Sequence, residues 1–323
     1  MNQKNTLDKK TAVHIVQQVI TETKKAVIGK DDIIIKIILA LISKGHILLE
    51  DIPGVGKTTL AMAFSKAFNL KCNRVQFTPD VLPSDIVGFT ILNKATNTFE
   101  YRHGACNCNL FLADEINRTS SKTQSALLEI MEESRVSVDG ITRDLPKPFF
   151  VIATQNPTGS AGTQLLPESQ LDRFMIKLSM GYPDFESEVS ILKSKKDSNP
   201  LDTVNQVATA EDIILLQNTV ESVFVDDKVY EYVATLVKQT RNHAMVKLGV
   251  SPRGAIALMS ITKAVALLKG RTYVIPDDVS FIFKDVVSHR LILSPQARIN
   301  NTTAIEVAND ILSNTSVPKI ARV

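Results

Sequence analysis

Cysteine is scarce in this chain. Cys72, Cys106 and Cys108 are the only three in 323 residues, an odd, sparse set that argues against a disulfide framework and fits a reducing compartment. Long apolar runs are also missing: the richest stretch, Ile33 to Ile42, is interrupted by Lys36, so no bilayer span is expected. The opening Met1-Asn2-Gln3-Lys4-Asn5 has no signal-peptide core, which makes the cytoplasm the expected location. Neither sign of charge dominates. Against 37 Lys+Arg stand 34 Asp+Glu, the net charge is +3, and no run is strongly basic, which disfavours a dedicated nucleic-acid binder. Internal repeats and low-complexity segments are absent as well. What remains, 44% hydrophobic over this length, is a globular chain with room for about two domains, each with its own core.

The segment His103-x-x-Cys106-x-Cys108 offers at most three soft ligands on one short stretch, with no second cluster elsewhere. It reads as packing at the entry to an apolar strand rather than as a metal site. His14, His46, His243 and His289 are isolated and read as structural or surface residues.

Against these absences stands one dense run. His46-Ile47-Leu48-Leu49 leads into Glu50-Asp51-Ile52-Pro53-Gly54-Val55-Gly56-Lys57-Thr58-Thr59, and Leu60, Phe64, Ala67 and Phe68 follow on one helical face. Strand, glycine turn and helix in this order form a phosphate cradle: backbone N–H groups turn inward and the helix presents the positive end of its dipole. Lys57 is expected on the β- and γ-phosphates, and the Thr58 hydroxyl on Mg²⁺. Asp51 stands where the strict pattern G-x-x-x-x-G-K-[ST] has its first glycine. Asp tolerates positive φ better than most residues, so the turn is expected to survive.

Two further apolar runs end in polar tips. Asn109-Leu110-Phe111-Leu112-Ala113 ends in Asp114-Glu115, and Phe149-Phe150-Val151-Ile152-Ala153 ends in Thr154-Gln155-Asn156-Pro157. Both read as buried parallel strands whose C-terminal edge carries the ligand site. Asp114 is expected to hold Mg²⁺ through water, Glu115 to act as general base, and the Asn156 amide to orient the attacking water.

With these strands placed, the chain resembles the MoxR family of AAA+ ATPases. The resemblance runs in order through Ile28-Gly29-Lys30, Gly45 to Thr59, Asp114-Glu115-Ile116-Asn117-Arg118, Ala153 to Pro157, Leu166 to Phe174 with Leu171-Asp172-Arg173-Phe174, and Gly249-Val250-Ser251-Pro252-Arg253. It covers nearly the whole chain, and relatives often carry Glu-Asp before the Pro-Gly of the loop. The resemblance implies that Arg173 is an arginine finger reaching a neighbouring subunit's γ-phosphate and that Arg253 is at the sensor-2 position. It also implies that Val27, Ile28 and Gly29 pack against adenine, with Pro53, Gly54, Val55, Gly56 and Thr59 completing the nucleotide contacts.

The implied fold is α/β: a P-loop AAA+ core of parallel sheet flanked by helices, with a C-terminal all-helical lid. The expected division is an N-terminal helical segment (1–27), the nucleotide-binding core (28–181), a linker (182–203) and the lid (204–323). Two inserts give the subtype. Phe89-Thr90-Ile91 and Phe99-Glu100-Tyr101 alternate around a polar turn, and Arg135 to Val138 and Ile141-Thr142 flank Asp139-Gly140, a favoured two-residue hairpin turn. This arrangement resembles the clade containing magnesium-chelatase ATPase subunits, MCM helicases and MoxR. Polar Lys193 to Pro200 reads as a linker or exposed loop. Beyond it, Asp226, Ser251 and Pro276 each start a helical pattern, and Gly270 closes one.

The function these readings imply is Mg²⁺-dependent ATP hydrolysis in a homo-oligomer, a hexameric ring by resemblance, acting as a chaperone-like remodeller or maturation factor. A protein partner with a von Willebrand factor A domain is implied by family alone. A GTPase switch is weakened because Asn93-Lys94-Ala95-Thr96 lacks the Asp that reads guanine. A DNA motor lacks a basic patch or helix-turn-helix; DNA-stimulated ATPase activity would discriminate it. A scaffold without turnover needs neither a lytic-water residue nor a trans arginine.

Overall fold

The computed structural model describes residues 5–52, 54–156, 166–194 and 199–319. Pro53, Pro157, the 1–4 terminus and the 195–198 part of the expected loop lie outside the described residues.

The chain opens with helices α1 (Lys9–Ala26) and α2 (Asp31–Ile42). The Asp8 carboxylate accepts the Lys10 and Thr11 N–H groups and starts α1. Strand β1 (Ile47–Glu50) runs through the glycine loop into α3 (Lys57–Ala67). Next come β2 (Cys72–Gln76), α4 (Pro83–Val87), the antiparallel pair β3 (Gly88–Asn93) and β4 (Thr98–His103), β5 (Leu110–Asp114) and α5 (Ser121–Glu133). A second hairpin, β6 (Arg135–Val138) with β7 (Ile141–Asp144), precedes β8 (Phe150–Gln155), α6 (Glu168–Leu171), β9 (Ile176–Leu178) and α7 (Phe185–Ser194). Asp139 and Gly140 take φ of 53° and 74°, the two left-handed residues that a tight hairpin turn needs.

Five of these strands form one parallel sheet in the order β2-β5-β8-β1-β9. Their side chains alternate between two cores. Ile47, Leu49, Leu110, Leu112 and Ile152 join the layer of α1, α2 and α3, whereas Leu48, Phe111, Ala113, Val151 and Ala153 join α5 on the other face. Helices cover both faces, which is why these strands read as unbroken apolar runs. Cys106 and Cys108 are buried in the second core, where burial pushes both thiols up to about 12; it pushes Cys72 to about 11. These are packing thiols, not nucleophiles.

The segment 182–203, expected as linker, carries helix α7. Beyond it lie α8 (Ala210–Glu221), α9 (Asp227–Asn242), α10 (Pro252–Leu268), α11 (Pro276–Val287), α12 (Pro295–Ile299) and α13 (Ala304–Asn314). Asp226 and Ser251 cap α9 and α10 through their side chains, and Gly270 follows α10 at φ 71°. The helical lid also carries a short antiparallel pair, β10 (Val246–Leu248) with β11 (Ile292–Leu293). Strands of two and three residues leave no periodicity in sequence to detect. Among the described residues no helix is long and apolar enough to cross a membrane.

Candidate functional site

The C-terminal ends of β1, β5 and β8 meet at one edge of the sheet, beside the start of α3. Gly54 and Gly56 have φ of 86° and 95°, left-handed values that side chains with a Cβ rarely adopt. Gly56 is the N-cap of α3, and among the described residues no side chain caps that helix. Its first N–H groups are therefore free to meet an anion. A cleft of about 300 Å³ opens there, lined by Gly54, Gly56, Lys57, Thr58, Asp114 and Glu115. Arg74 and Gln76 of β2 and Thr154 of β8 complete its wall.

Lys57 is buried and rests on the loop itself, donating to the carbonyl oxygens of Asp51 at 2.9 Å and Ile52 at 3.2 Å. Burial pulls its pKa below the ordinary lysine range, against the opposing pull of Asp51, Asp114 and Glu115. Asp51 does not adopt positive φ, contrary to the expectation drawn from its place in the loop. Its carboxylate turns inward and accepts from Ser179 Oγ at 3.1 Å, from the Gly181 N–H at 3.0 Å and from the Met180 N–H. It ties the loop to the chain leaving β9. A glycine could not do this.

Asp114 is buried, with Oδ1 accepting from Thr154 Oγ1 at 3.0 Å and Oδ2 from Arg74 Nε at 2.6 Å. Thr154 Oγ1 also accepts the Glu115 N–H at 2.9 Å. Glu115 itself sits at φ 57°, ψ 48°, a conformation costing of order 1 kcal/mol or more for a residue with a side chain and common at functional sites. Its carboxylate accepts from Asn156 Nδ2 at 3.1 Å and Arg118 Nη1 at 2.7 Å. Burial alone would raise the pKa of Glu115, but the bonds from Arg118 and Asn156 outweigh it and hold the group below the usual carboxylate range. Asn156 is buried, and among the described residues its Oδ1 has no hydrogen-bond partner. Arg74, Gln76, Thr154 and Arg118 were missed in the sequence. The pairing of Gln76 with Asp114 and of Ala113 with Ala153 across neighbouring strands brings the first three in, and only the strand order reveals that.

A second, more apolar cleft of about 500 Å³ shares Gly54 and Gly56 with the first and is lined by Val27, Ile28, Val55, Thr59, Tyr182 and Leu192. Gly29, at φ 71°, packs so closely on α7 that a Cβ there would lie 2.1 Å from Ser187 Oγ. Val27, Ile28, Gly54, Val55, Gly56, Lys57, Thr58, Thr59, Asp114, Glu115 and Asn156 are thus brought together around two joined clefts.

Arg173 and Arg253 are not among them. Arg173 donates to the Leu128 carbonyl at 3.1 Å and to Glu132 of α5, and Arg253 donates to the same Glu132 carboxylate. Arg173 and Glu132 line a different cleft, and neither arginine lines the cleft at the phosphate loop of its own chain.

The family model described as "ATPase family associated with various cellular activities (AAA)" matches residues 46–176, and the AAA lid domain matches 238–311. The chain is 49% identical over 304 residues to YeaC of Bacillus subtilis, a protein called uncharacterized, covering 94% of this chain and 95% of that one. It is 37% identical to Chaperone MoxR1 of Mycobacterium tuberculosis, covering 95% and 84%. Among solved structures it is similar, with a TM-score of 0.90 and 35% identity, to a Cytophaga hutchinsonii protein to which an ATPase function is ascribed, covering 96% of this chain and 97% of that one.

Proposed function

The chain belongs to the MoxR family of AAA+ ATPases, and from that premise we propose that it hydrolyses ATP with Mg²⁺ at sites shared between copies of itself and matures or remodels a protein complex. The convergence of Lys57, Thr58, Asp114 and Glu115 on one cleft at the sheet edge carries this reading. We further propose a hexameric ring and a partner with a von Willebrand factor A domain, both on resemblance to the family, and a cytoplasmic location, which the sparse free cysteines fit. The division into a core at 28–181 and a lid at 204–323, flanked by 1–27 and 182–203, is proposed on the polar, Pro-terminated stretch Lys193 to Pro200 and the helical patterns that follow it, together with the family resemblance.

The uncapped N–H groups of α3 and the Lys57 ammonium receive the phosphates, with Lys57 exchanging its two carbonyl partners for phosphate oxygens. A hydroxyl and a carboxylate, Thr58 and Asp114, face the same cleft, and hard oxygen donors of this kind suit Mg²⁺. Bound there, the ion would neutralise charge on the phosphate oxygens. Arg74, half exposed on the Asp114 carboxylate, has room to turn aside. Glu115, held ionised, takes a proton from the attacking water, while Asn156 holds Glu115 through Nδ2 and offers Oδ1, which has no partner among the described residues, as an acceptor for that water. The apolar cleft beside Val27 and Ile28 receives the base.

We read Arg173, the arginine finger by resemblance, and with it Arg253 at the sensor-2 position, as serving the neighbouring copy's phosphates, a reading supported by neither lining the phosphate cleft of its own chain. Mixing Arg173→Ala with Lys57→Ala tests this. The first keeps an intact loop and the second intact arginines, so a shared interface restores part of the activity that each variant lacks alone. A mixture as inactive as its components overturns the shared site.

A further inference from the structure

Glu132 is absorbed by neither the phosphate cleft nor the base cleft, yet it is the carboxylate on which both outlying arginines converge. One of its oxygens, Oε2, accepts from Arg173 Nη1 and the other, Oε1, from Arg253 Nη2. The three residues come from three places: Glu132 from α5, Arg173 from the turn after α6, and Arg253 from the first turn of α10 in the lid. We propose that Glu132 is a positioning residue that joins Arg173 and Arg253 into one two-pronged unit, so that core and lid deliver their arginines to the neighbouring subunit's nucleotide together. This rests on the reading that both arginines act in trans.

A second tie runs beneath the first. The Asp172 carboxylate, one residue before Arg173, accepts from Ser251 Oγ at 2.8 Å and from Arg290 Nε at 2.8 Å. Ser251 Oγ in turn accepts the Gly254 N–H at 3.1 Å as the cap of the helix that carries Arg253. The backbones bearing the two arginines are thus locked to each other, and Glu132 sets their side chains. Glu132 does this without using the arginines up. A guanidinium has five N–H donors, and among the described residues these contacts engage only Nη1 of Arg173 and Nη2 of Arg253. Among the described residues, Nε and the other terminal nitrogen of each are open to phosphate oxygens. The trio is also open to a neighbour: the Arg173, Glu132 and Arg253 side chains are 31%, 38% and 47% exposed. An ion pair this exposed adds little to stability, so the cost of arranging it is better explained by geometry than by folding.

The test uses the full chain above its assembly concentration. Glu132→Ala should lower kcat about tenfold, since misplacing a reacting group by about 1 Å costs up to roughly 10²-fold. KM for ATP and the thermal midpoint should not move. Glu132→Asp, which keeps the charge, should recover part of the rate, while Glu132→Gln should not. In an Arg253→Ala background, Glu132→Ala should cost less than in the native chain, because one prong is already gone. A mixture of Glu132→Ala with Lys57→Ala should regain activity. A kcat at or above the native value in both Glu132→Ala and Glu132→Gln, while the Arg173→Ala and Lys57→Ala mixture still recovers, overturns the role of Glu132 and leaves the shared site standing. Failure of that second mixture removes the shared site, and the proposal with it.

Discussion

Asn156 Nδ2 donates to Glu115 Oε1 at 3.1 Å, so the polar tips of two adjacent parallel strands meet at the place proposed for the lytic water. Glu115→Gln keeps the shape of this contact and removes the base. It should bind ATP near normally and turn over at least roughly 10²-fold more slowly, the lower end of what a general base contributes. Asn156→Ala should lower kcat less, because the Arg118 bond still orients Glu115. Single-turnover hydrolysis alongside equilibrium nucleotide binding separates the two effects. Equal loss of affinity in both variants would contradict a base at Glu115 and a water-orienting amide at Asn156.

Lys57→Ala should act on binding instead. A hydrogen bond to a charged partner is worth about 1.5–3 kcal/mol, so the variant should bind ATP roughly 10- to 100-fold more weakly. Burial holds the Lys57 pKa below its ordinary value, so the free protein loses this charge at a lower pH than an exposed lysine would. ATP affinity should therefore decline as pH rises through that depressed pKa, and the decline should vanish in Lys57→Ala. An alkaline profile that is the same in both proteins would assign it to another group.

The parallel core was legible because burial on both faces writes strands as apolar runs, and the hairpins because Asp139-Gly140 and the alternation around Asn93 to Asn97 are local signals. The glycines and Lys57 were legible for the same reason. What the sequence did not reveal depends on residues far apart in the chain. Arg74 meets Asp114 across 40 positions, and Arg253 meets Glu132 across 121. No periodicity reports that the two arginines share a carboxylate. Asp51 was misread for a related reason: a loop position was judged by backbone tolerance, whereas its carboxylate reaches across to the exit of β9.

The inward-turned Asp51 carboxylate also holds the fold together. Asp51→Gly restores the strict loop pattern but removes the acceptor for the Met180 and Gly181 N–H groups and for Ser179 Oγ. A buried donor left without a partner costs about 1–3 kcal/mol, so urea unfolding should register a loss of roughly 2–4 kcal/mol. Asp51→Asn keeps one acceptor oxygen and should lose less. If Asp51→Gly were as stable as the native chain, the tie between the loop and β9 would carry no energy.

His46 makes the stability pH-dependent. Its buried ring donates from Nε2 to the Met131 carbonyl at 2.7 Å and accepts the Val151 N–H at Nδ1, 3.0 Å away. The ring is neutral in this arrangement, because a protonated Nδ1 could not accept. Burial drives its pKa down from 6.5 to about 4, against a small opposing effect of the Met131 bond. Between those values the unfolded chain binds a proton that the folded chain refuses, so this contribution is complete above pH 6.5 and is lost as pH falls toward 4. One proton amounts to about 1.4 kcal/mol per pH unit, or roughly 2 kcal/mol between pH 6.5 and 5. His289, also buried and held neutral, adds in the same direction, so the native chain alone cannot isolate His46. The comparison with His46→Gln can: the variant should be less stable at pH 7, and the gap should narrow by about 2 kcal/mol at pH 5. A gap that stays constant across this range would mean that His46 titrates alike in the folded and unfolded chains.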